Sequence, residues 1–133
     1  MERRLILMRH AESVWASMQG SDHARTLSGQ GRLDAQTIAK ALVTRSWVPQ
    51  HVLSSDATRT EETWQAINTE ETWQAVKGDH GTEVEARFTK ELYLAGLEEL
   101  WTESHLVEES VDTLLVLGHN PGWSRALHVL SGD

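Results

Sequence analysis

The chain has 133 residues, of which 39% are hydrophobic and 24% charged, a balance typical of one folded domain and too short for a multidomain enzyme. Its 12 Lys and Arg face 20 Asp and Glu, and the net charge of −8 argues against binding nucleic acid or an anionic membrane. The charge is uneven, because residues 1–60 carry a net charge of +3 and residues 61–133 a net charge of −11. Since the chain has no cysteine, it forms no disulfide, thiolate nucleophile or Cys-based metal site.

Two short runs, residues 5–8 and 113–117, are almost continuously apolar, which is typical of strands buried on both faces of a parallel sheet. Residues 52–53 are a third strand candidate, and residues 83–87 are a weaker fourth one. The first run is far too short for a signal peptide or a membrane span, so we expect a cytoplasmic protein.

Segments with helical periodicity lie between these runs. Apolar residues recur at helical spacing over residues 35–43, behind Ser28 as a predicted N-cap. A second helix is predicted around residues 97–101. A third covers residues 123–130, with Asn120 as the N-cap and proline at the first helical position. Strands and helices therefore alternate, which predicts that residues 1–133 form one three-layer α/β/α domain with a mostly parallel central sheet.

The sequence TEETWQA occurs twice, at residues 60–66 and 69–75. An offset of nine residues turns a continuous helix by two and a half turns, so Trp64 and Trp73 would point to opposite faces. Two copies are too few for a solenoid, and we interpret the repeat as a local duplication that lengthens a helix or its following loop. Core packing is the simplest interpretation of three further tryptophans in predicted helices, Trp47, Trp101 and Trp123.

Basic side chains follow three of the predicted strands. Arg9 and His10 end the first apolar run, and His119 ends the last. Arg59 lies in the first turn of a helix after the third strand candidate. Because the carboxyl ends of parallel strands share one edge of the sheet, these four side chains should converge. Guanidinium groups bind phosphate oxygens bidentately and stay charged, so the cluster predicts a phosphoryl-binding site.

The sequence LMRHAES at residues 7–13 resembles the signature of the histidine phosphatase superfamily, which has the phosphoglycerate-mutase-like fold. The resemblance continues in order through residues 25–31, 54–63 and 117–122, and so covers nearly the whole chain. The small size, the sequence DHAR at residues 22–25 and the sequence GHNPG near the end are most similar to the SixA-type phosphohistidine phosphatases.

The resemblance implies that His10 is the nucleophile and forms a covalent phosphohistidine intermediate. It also implies that Arg9 and Arg59 hold the phosphoryl oxygens, and that His119 donates to the same oxygens. Phosphoryl transfer depends mainly on positioning and fixed positive charge, so we expect neither a metal ion nor another cofactor. Because the attacking imidazole must be neutral, activity should fall as His10 becomes protonated.

Two departures from the mutase-like relatives bear on the substrate. Ala16 stands where those relatives have an asparagine. The residue before it, Trp15, could form a wall of the pocket. Leu94 stands where they have a proton-donating glutamate. A weak general acid matters less when the leaving group is an imidazole than when it is an alkoxide, which favours a phosphohistidine substrate. Three carboxylates remain as candidate acids or pocket-rim residues: Glu12, Asp22 and Glu91.

The sequence therefore predicts a phosphatase that acts on protein phosphohistidine. The alternatives are a small-molecule phosphomonoesterase and a non-catalytic phospho-ligand binding module, whereas the lack of a lid argues against a mutase. The expected partner is a phosphorylated protein or a small phosphorylated substrate, with no nucleic acid and no membrane. Since family members usually continue into another strand, we expect a minimal or C-terminally truncated domain, whose open sheet edge could pair in a homodimer.

Overall fold

A computed structural model of the chain describes residues 3–14, 21–80 and 84–131. Within these residues the strands are β1 (Arg4–Arg9), β2 (His51–Ser55), β3 (Glu85–Thr89) and β4 (Thr113–Gly118). The helices are α1 (Gly29–Thr44), α2 (Thr58–Asn68), α3 (Glu71–His80), α4 (Leu97–Ser104) and α5 (Gly122–Ser131). Short 3-10 turns lie at Asp22–Ala24 and Lys90–Leu92.

All four strands are parallel and lie in the order β1-β4-β2-β3. They correspond to the four predicted strand segments, except that residue 83 lies outside the described part of the chain. The predicted burial on both faces is wrong for β1, whose residues are half-buried or exposed, because β1 lies at the edge of the described sheet with β4 as its one neighbour. β1 and β4 are neighbours, with Arg9 opposite Gly118 in the register. As a result, His10 and His119 leave the sheet side by side at its carboxyl edge.

Helices cover both faces of this sheet. α1, α2 and α3 pack on one face, where Leu115 and Leu117 of β4 lie in the core. α4 and α5 pack on the other face against Leu114 and Val116. β4 therefore buries successive side chains on opposite sides, which explains its continuous apolar sequence. The predicted three-layer α/β/α architecture with a parallel sheet is confirmed. Among the described residues, no helix is long and apolar enough to cross a membrane.

The ends of two helices test the predicted caps. Ser28 caps α1 as expected, because its hydroxyl accepts a hydrogen bond from the N–H of Gly31 at 3.0 Å. Asn120 accepts a bond from the N–H of Ser124 at 3.0 Å, but α5 begins only at Gly122. Pro121 therefore precedes α5 and does not occupy its first position.

The repeated TEETWQA segments lie on two helices and not on one. α2 ends at Asn68, and the carboxylate of Glu70 accepts a hydrogen bond from the N–H of Trp73 at 2.9 Å as α3 begins. This break lets Trp64 and Trp73 meet in one core, with ring centroids 6.0 Å apart. The expectation that the two rings point to opposite faces is wrong, because it assumed a continuous helix.

The three tryptophans that were predicted to pack in the core from other helices do not all do so. Trp123 is buried and Trp47 packs against the core, as predicted. Trp101 is 61% exposed and lies beside the ring of His105, so its predicted place in the core is wrong. α4 is short and buries only one side, and Leu100 occupies that side.

Gly31 lets α1 approach the segment that carries His10. A Cβ at residue 31 would overlap the carbonyl oxygen of Glu12. We therefore expect Gly31→Ala to lower the free energy of unfolding by about 1–3 kcal/mol, as other overpacked positions do. Gly29→Ala is the matched control, because a Cβ there meets nothing within 4 Å. Urea denaturation measures both variants, and equal losses of stability would contradict the close approach.

Candidate active site

Three of the four predicted basic side chains meet at the carboxyl edge of the sheet. The rings of His10 and His119 lie 5.4 Å apart between centroids. Arg59, in the first turn of α2, is 2% exposed and reaches both of them. Its Nε donates to Nε2 of His10, and its Nη2 donates to Nδ1 of His119, each at 3.3 Å. The parallel strands β1, β2 and β4 thus bring together residues that are far apart in the sequence.

The hydrogen bonds of the two imidazoles assign their tautomers. Nδ1 of His10 donates to the carbonyl oxygen of Ala11 at 2.7 Å, so Nε2 carries the lone pair that faces Arg59. His119 has the opposite tautomer, because a guanidinium can only donate and its Nδ1 must accept from Arg59. The ring proton therefore lies on Nε2, which donates to Oγ of Ser55 at 2.8 Å. Both lone pairs face the same guanidinium group.

Burial and nearby cations keep both rings neutral. Burial is the main cause that lowers the pKa of His10, and the charges of Arg59 and Arg9 add to it, against the opposing effect of the bond to Ala11. Burial also dominates at His119, where the charge of Arg59 contributes next and the pKa falls to about 4. A neutral His10 is the form that can attack phosphorus.

The titration of His10 gives a testable prediction. Since the pKa of this ring lies below its ordinary value of 6.5, the ring remains mostly neutral at pH 6.5 and gains a proton only in more acidic solution. We therefore expect kcat/KM to fall in acid solution with a midpoint below pH 6.5. NMR titration of the free protein measures the same pKa directly. A pKa for His10 above 6.5 would contradict the assigned environment.

Arg9 lies beside this cluster and not within it. Its side chain is exposed and lines a groove of about 700 Å³ together with His10, Glu12 and Arg25. Its charge acts on His10 through space and lowers the pKa of that ring. A direct contact of Arg9 with a phosphoryl group remains a prediction.

Asp22, one of the candidate acids, is an ion-pair partner of the cluster. Its carboxylate accepts bonds from Nη2 of Arg59 at 3.0 Å and from Nη1 of Arg25 at 3.1 Å. It also accepts the hydroxyl proton of Tyr93, and this bond is the main cause that holds the pKa of Asp22 well below its usual range. A carboxylate that stays ionised at neutral pH has no proton to donate, so the geometry does not support Asp22 as the general acid.

The two other candidate acids make no direct bond to the rings, although Glu12 lines the same groove as His10. The carboxylate of Glu12 accepts the hydroxyl of Ser28 at 2.8 Å, at the start of α1. Glu91 is exposed and lines a separate groove of about 450 Å³ with Glu98 and Glu103. Within the described residues, neither glutamate has a hydrogen bond or ion pair with the histidine and arginine cluster.

Tyr93 is a member of the site that the sequence did not indicate. Its hydroxyl bonds Asp22, and its ring lies edge-on to the ring of His119, with the two ring centroids 5.5 Å apart. Leu94, at the place where relatives carry an acid, is 57% exposed and has φ of 53°. Ala16 and Trp15 lie outside the described residues. No sequence signal marks Tyr93, because its contact with Asp22 spans 71 positions.

No group of three or more His, Asp or Glu side chains in the described parts of the chain has an arrangement that could hold a metal ion. Independence of a metal ion is a prediction. A phosphatase assay in the presence of a chelator tests it, and the activity should be unchanged.

Sequence comparison places this geometry in a known family. The model of the histidine phosphatase superfamily (branch 1) matches residues 5–92, which is more than half of the chain. A chloroplast protein of Arabidopsis thaliana, itself uncharacterized, is 36% identical over 137 residues. That match covers 98% of this chain and 60% of the relative, so the chain spans less than two thirds of the relative's length.

Solved structures agree with the family match. SixA of Agrobacterium tumefaciens, assigned as a phosphohistidine phosphatase, is 28% identical with a TM-score of 0.81, over 100% of this chain and 79% of that one. The corresponding SixA of Nakamurella is 31% identical with a TM-score of 0.73, over 93% of this chain and 63% of that one. A mycobacterial glucosyl-3-phosphoglycerate phosphatase shares the fold. It is 21% identical, with a TM-score of 0.61 over 96% of this chain and 78% of that one. By sequence and by fold, the chain belongs to the histidine phosphatase superfamily.

Proposed function

We propose that the protein is a phosphatase in which Nε2 of His10 forms a covalent bond to phosphorus. The observation that carries this proposal is the lone pair of His10, which lies against the buried guanidinium of Arg59 and opposite His119. A phosphoryl group between these side chains would meet a neutral nucleophile and fixed N–H donors. Such prearranged donors stabilise the negative charge of the transferring group without reorganisation.

In the first step, the lone pair of His10 attacks phosphorus, and the bond to the leaving group breaks with its electron pair on the leaving atom. The proton on Nδ1 stays on the ring and bonded to Ala11, so no base is needed to activate the nucleophile. In the second step, water attacks the phosphohistidine. This step releases inorganic phosphate and returns His10 as a neutral ring, with one proton from water passing to solvent or phosphate.

His119 faces the same group from the other side. In the structure its Nδ1 accepts a hydrogen bond from Arg59. A phosphoryl dianion close to the ring favours the protonated form, because an opposite charge raises the pKa of a histidine. Protonated at Nδ1, His119 would donate to a phosphoryl oxygen while Nε2 keeps its bond to Ser55.

For the substrate, we propose a phosphohistidine on another protein. Asp22 is held as an ion, Glu91 lies apart, and the carboxylate of Glu12, in the groove beside His10, is bonded to Ser28, so the candidate carboxyl groups are poorly placed to protonate an alkoxide. An imidazole leaves more readily without a strong acid. The two SixA structures at 28% and 31% identity support the same class. The net charge of −11 over residues 61–133 should also disfavour small anionic metabolites.

A comparison of three substrates tests this proposal. A phosphohistidine protein, p-nitrophenyl phosphate and a sugar phosphate are assayed under the same conditions. We expect the highest kcat/KM for the phosphohistidine protein. A preference for the sugar phosphate would overturn the substrate class but not the covalent mechanism. Tight binding of phosphate with no turnover of any substrate would instead indicate a phospho-ligand binding module.

A further inference from the structure

Asp22 holds the guanidinium of Arg59 with two separate groups. Nη1 donates to the main-chain carbonyl of Asp22 at 2.7 Å, and Nη2 donates to its carboxylate at 3.0 Å. These bonds use the end of the guanidinium formed by Nη1 and Nη2. They leave the edge formed by Nε and Nη2 directed at His10 and His119. That edge has the geometry with which arginine binds two oxygens of a phosphoryl group.

Asp22 is itself fixed from two further directions. The hydroxyl of Tyr93 donates to the same carboxylate oxygen as Arg59, and Arg25 donates to the other oxygen at 3.1 Å. Arg25 also bonds the carbonyl of Val14 at 2.9 Å and the hydroxyl of Ser13 at 2.8 Å. The network therefore ties together the segment after β1, the start of α2 and the segment after β3.

We propose that Asp22 and Tyr93 are positioning residues that orient the Nε and Nη2 edge of Arg59 toward the transferring phosphoryl group. We name this pair the Asp22–Tyr93 brace. The inference rests on the proposed function, since the edge matters only if a phosphoryl group binds beside His10. Neither residue touches the reacting atoms. Both act through Arg59.

The negative charge of Asp22 makes it possible to distinguish a positioning role from a purely electrostatic one. A carboxylate beside a phosphoryl site repels the ligand, so a residue that acted only through its charge would weaken anion binding. A brace has the opposite effect, because it keeps two strong donors in place. Removing the charge at constant side-chain size therefore tells the two roles apart by the sign of the change in affinity.

Calorimetric titration with inorganic phosphate measures that sign. We expect Asp22→Asn to weaken phosphate binding by about tenfold, even though it removes a negative charge. Tyr93→Phe, which removes only a hydroxyl, should weaken binding by about threefold. Asp112→Asn is the matched control at the opposite end of the sheet and should leave the affinity unchanged. Tighter phosphate binding by Asp22→Asn, or unchanged binding by Tyr93→Phe, would overturn the brace.

A double-mutant cycle shows whether the effect passes through Arg59. In an Arg59→Ala background, Asp22→Asn should no longer weaken phosphate binding, because there is no guanidinium left to orient. Additive losses would overturn the proposal. In the assay with p-nitrophenyl phosphate, Asp22→Asn should lower kcat more than it raises KM, a split that a general loss of stability would not produce.

The brace and the proposed function can fail separately. If the wild-type protein binds phosphate but turns over no substrate, the proposed function is overturned, and the phosphate affinities of the variants still decide the brace. If turnover is normal and Asp22→Asn has wild-type phosphate affinity, the brace alone is overturned.

Discussion

Replacing His10 with alanine is expected to reduce kcat by about a thousandfold or more while the fold survives. The variant removes the nitrogen that would bond to phosphorus, and the alanine side chain has no nucleophilic atom to replace it. His10 lies at the end of β1, and within the described residues its ring bonds the neighbouring carbonyl of Ala11 and the edge of Arg59. Its loss therefore leaves both core clusters intact.

Two measurements check this expectation together. Circular dichroism should show a Tm close to that of the wild type, and a steady-state assay should show the loss of turnover. His105→Ala is a suitable control, because that ring is exposed and bonds the carbonyl of Trp101 at the end of α4. Wild-type protein quenched in alkali during turnover should carry phosphate on His10. A His10→Ala variant that retains a tenth of the activity would overturn the covalent mechanism.

The parts of the site that were predicted from sequence are those that follow from strand ends. Continuous apolar runs identified β1 and β4 as parallel strands, although only β4 is buried on both faces, and parallel strands share one carboxyl edge. His10 and His119 could therefore be placed together although they lie in different halves of the chain. Arg59 followed from its position in the first turn after β2. These inferences need only the order and direction of the elements.

The parts that were not predicted depend on side-chain packing. Asp22 looked like a candidate acid because a carboxylate in a loop gives no sign of its partners. Its ionised state comes from Tyr93 and Arg59, which reach it from two distant segments, and from Arg25, three residues further along its own. The break between α2 and α3 was missed for a similar reason. It depends on the buried carboxylate of Glu70, which caps α3.

Replacing Arg59 with alanine is expected to lower kcat/KM by about a thousandfold. Arg59 supplies the N–H edge between the two histidines, and it is the cation closest to both of their lone pairs. The variant also leaves the carboxylate of Asp22 next to the phosphoryl site with one fewer neutralising partner. Repulsion of the substrate then adds to the loss of donors, so KM should rise as kcat falls.

The same variant should change the titration of both rings. After burial, the charge of Arg59 is the next cause that lowers the pKa of His119, and it also lowers the pKa of His10. Arg59→Ala should therefore move both NMR titrations to higher pH. Arg32→Ala is the matched control, since this exposed arginine pairs with Glu62 on the surface of α1 and α2.

Arg59→Lys separates charge from geometry. A lysine keeps the positive charge near the histidines but cannot offer two parallel donors to a phosphoryl group. We expect it to restore the lowered pKa of His119 while recovering little of the lost kcat. If Arg59→Lys recovered most of the activity, charge alone would account for the role of Arg59, and the orientation of its guanidinium edge would have no part in catalysis.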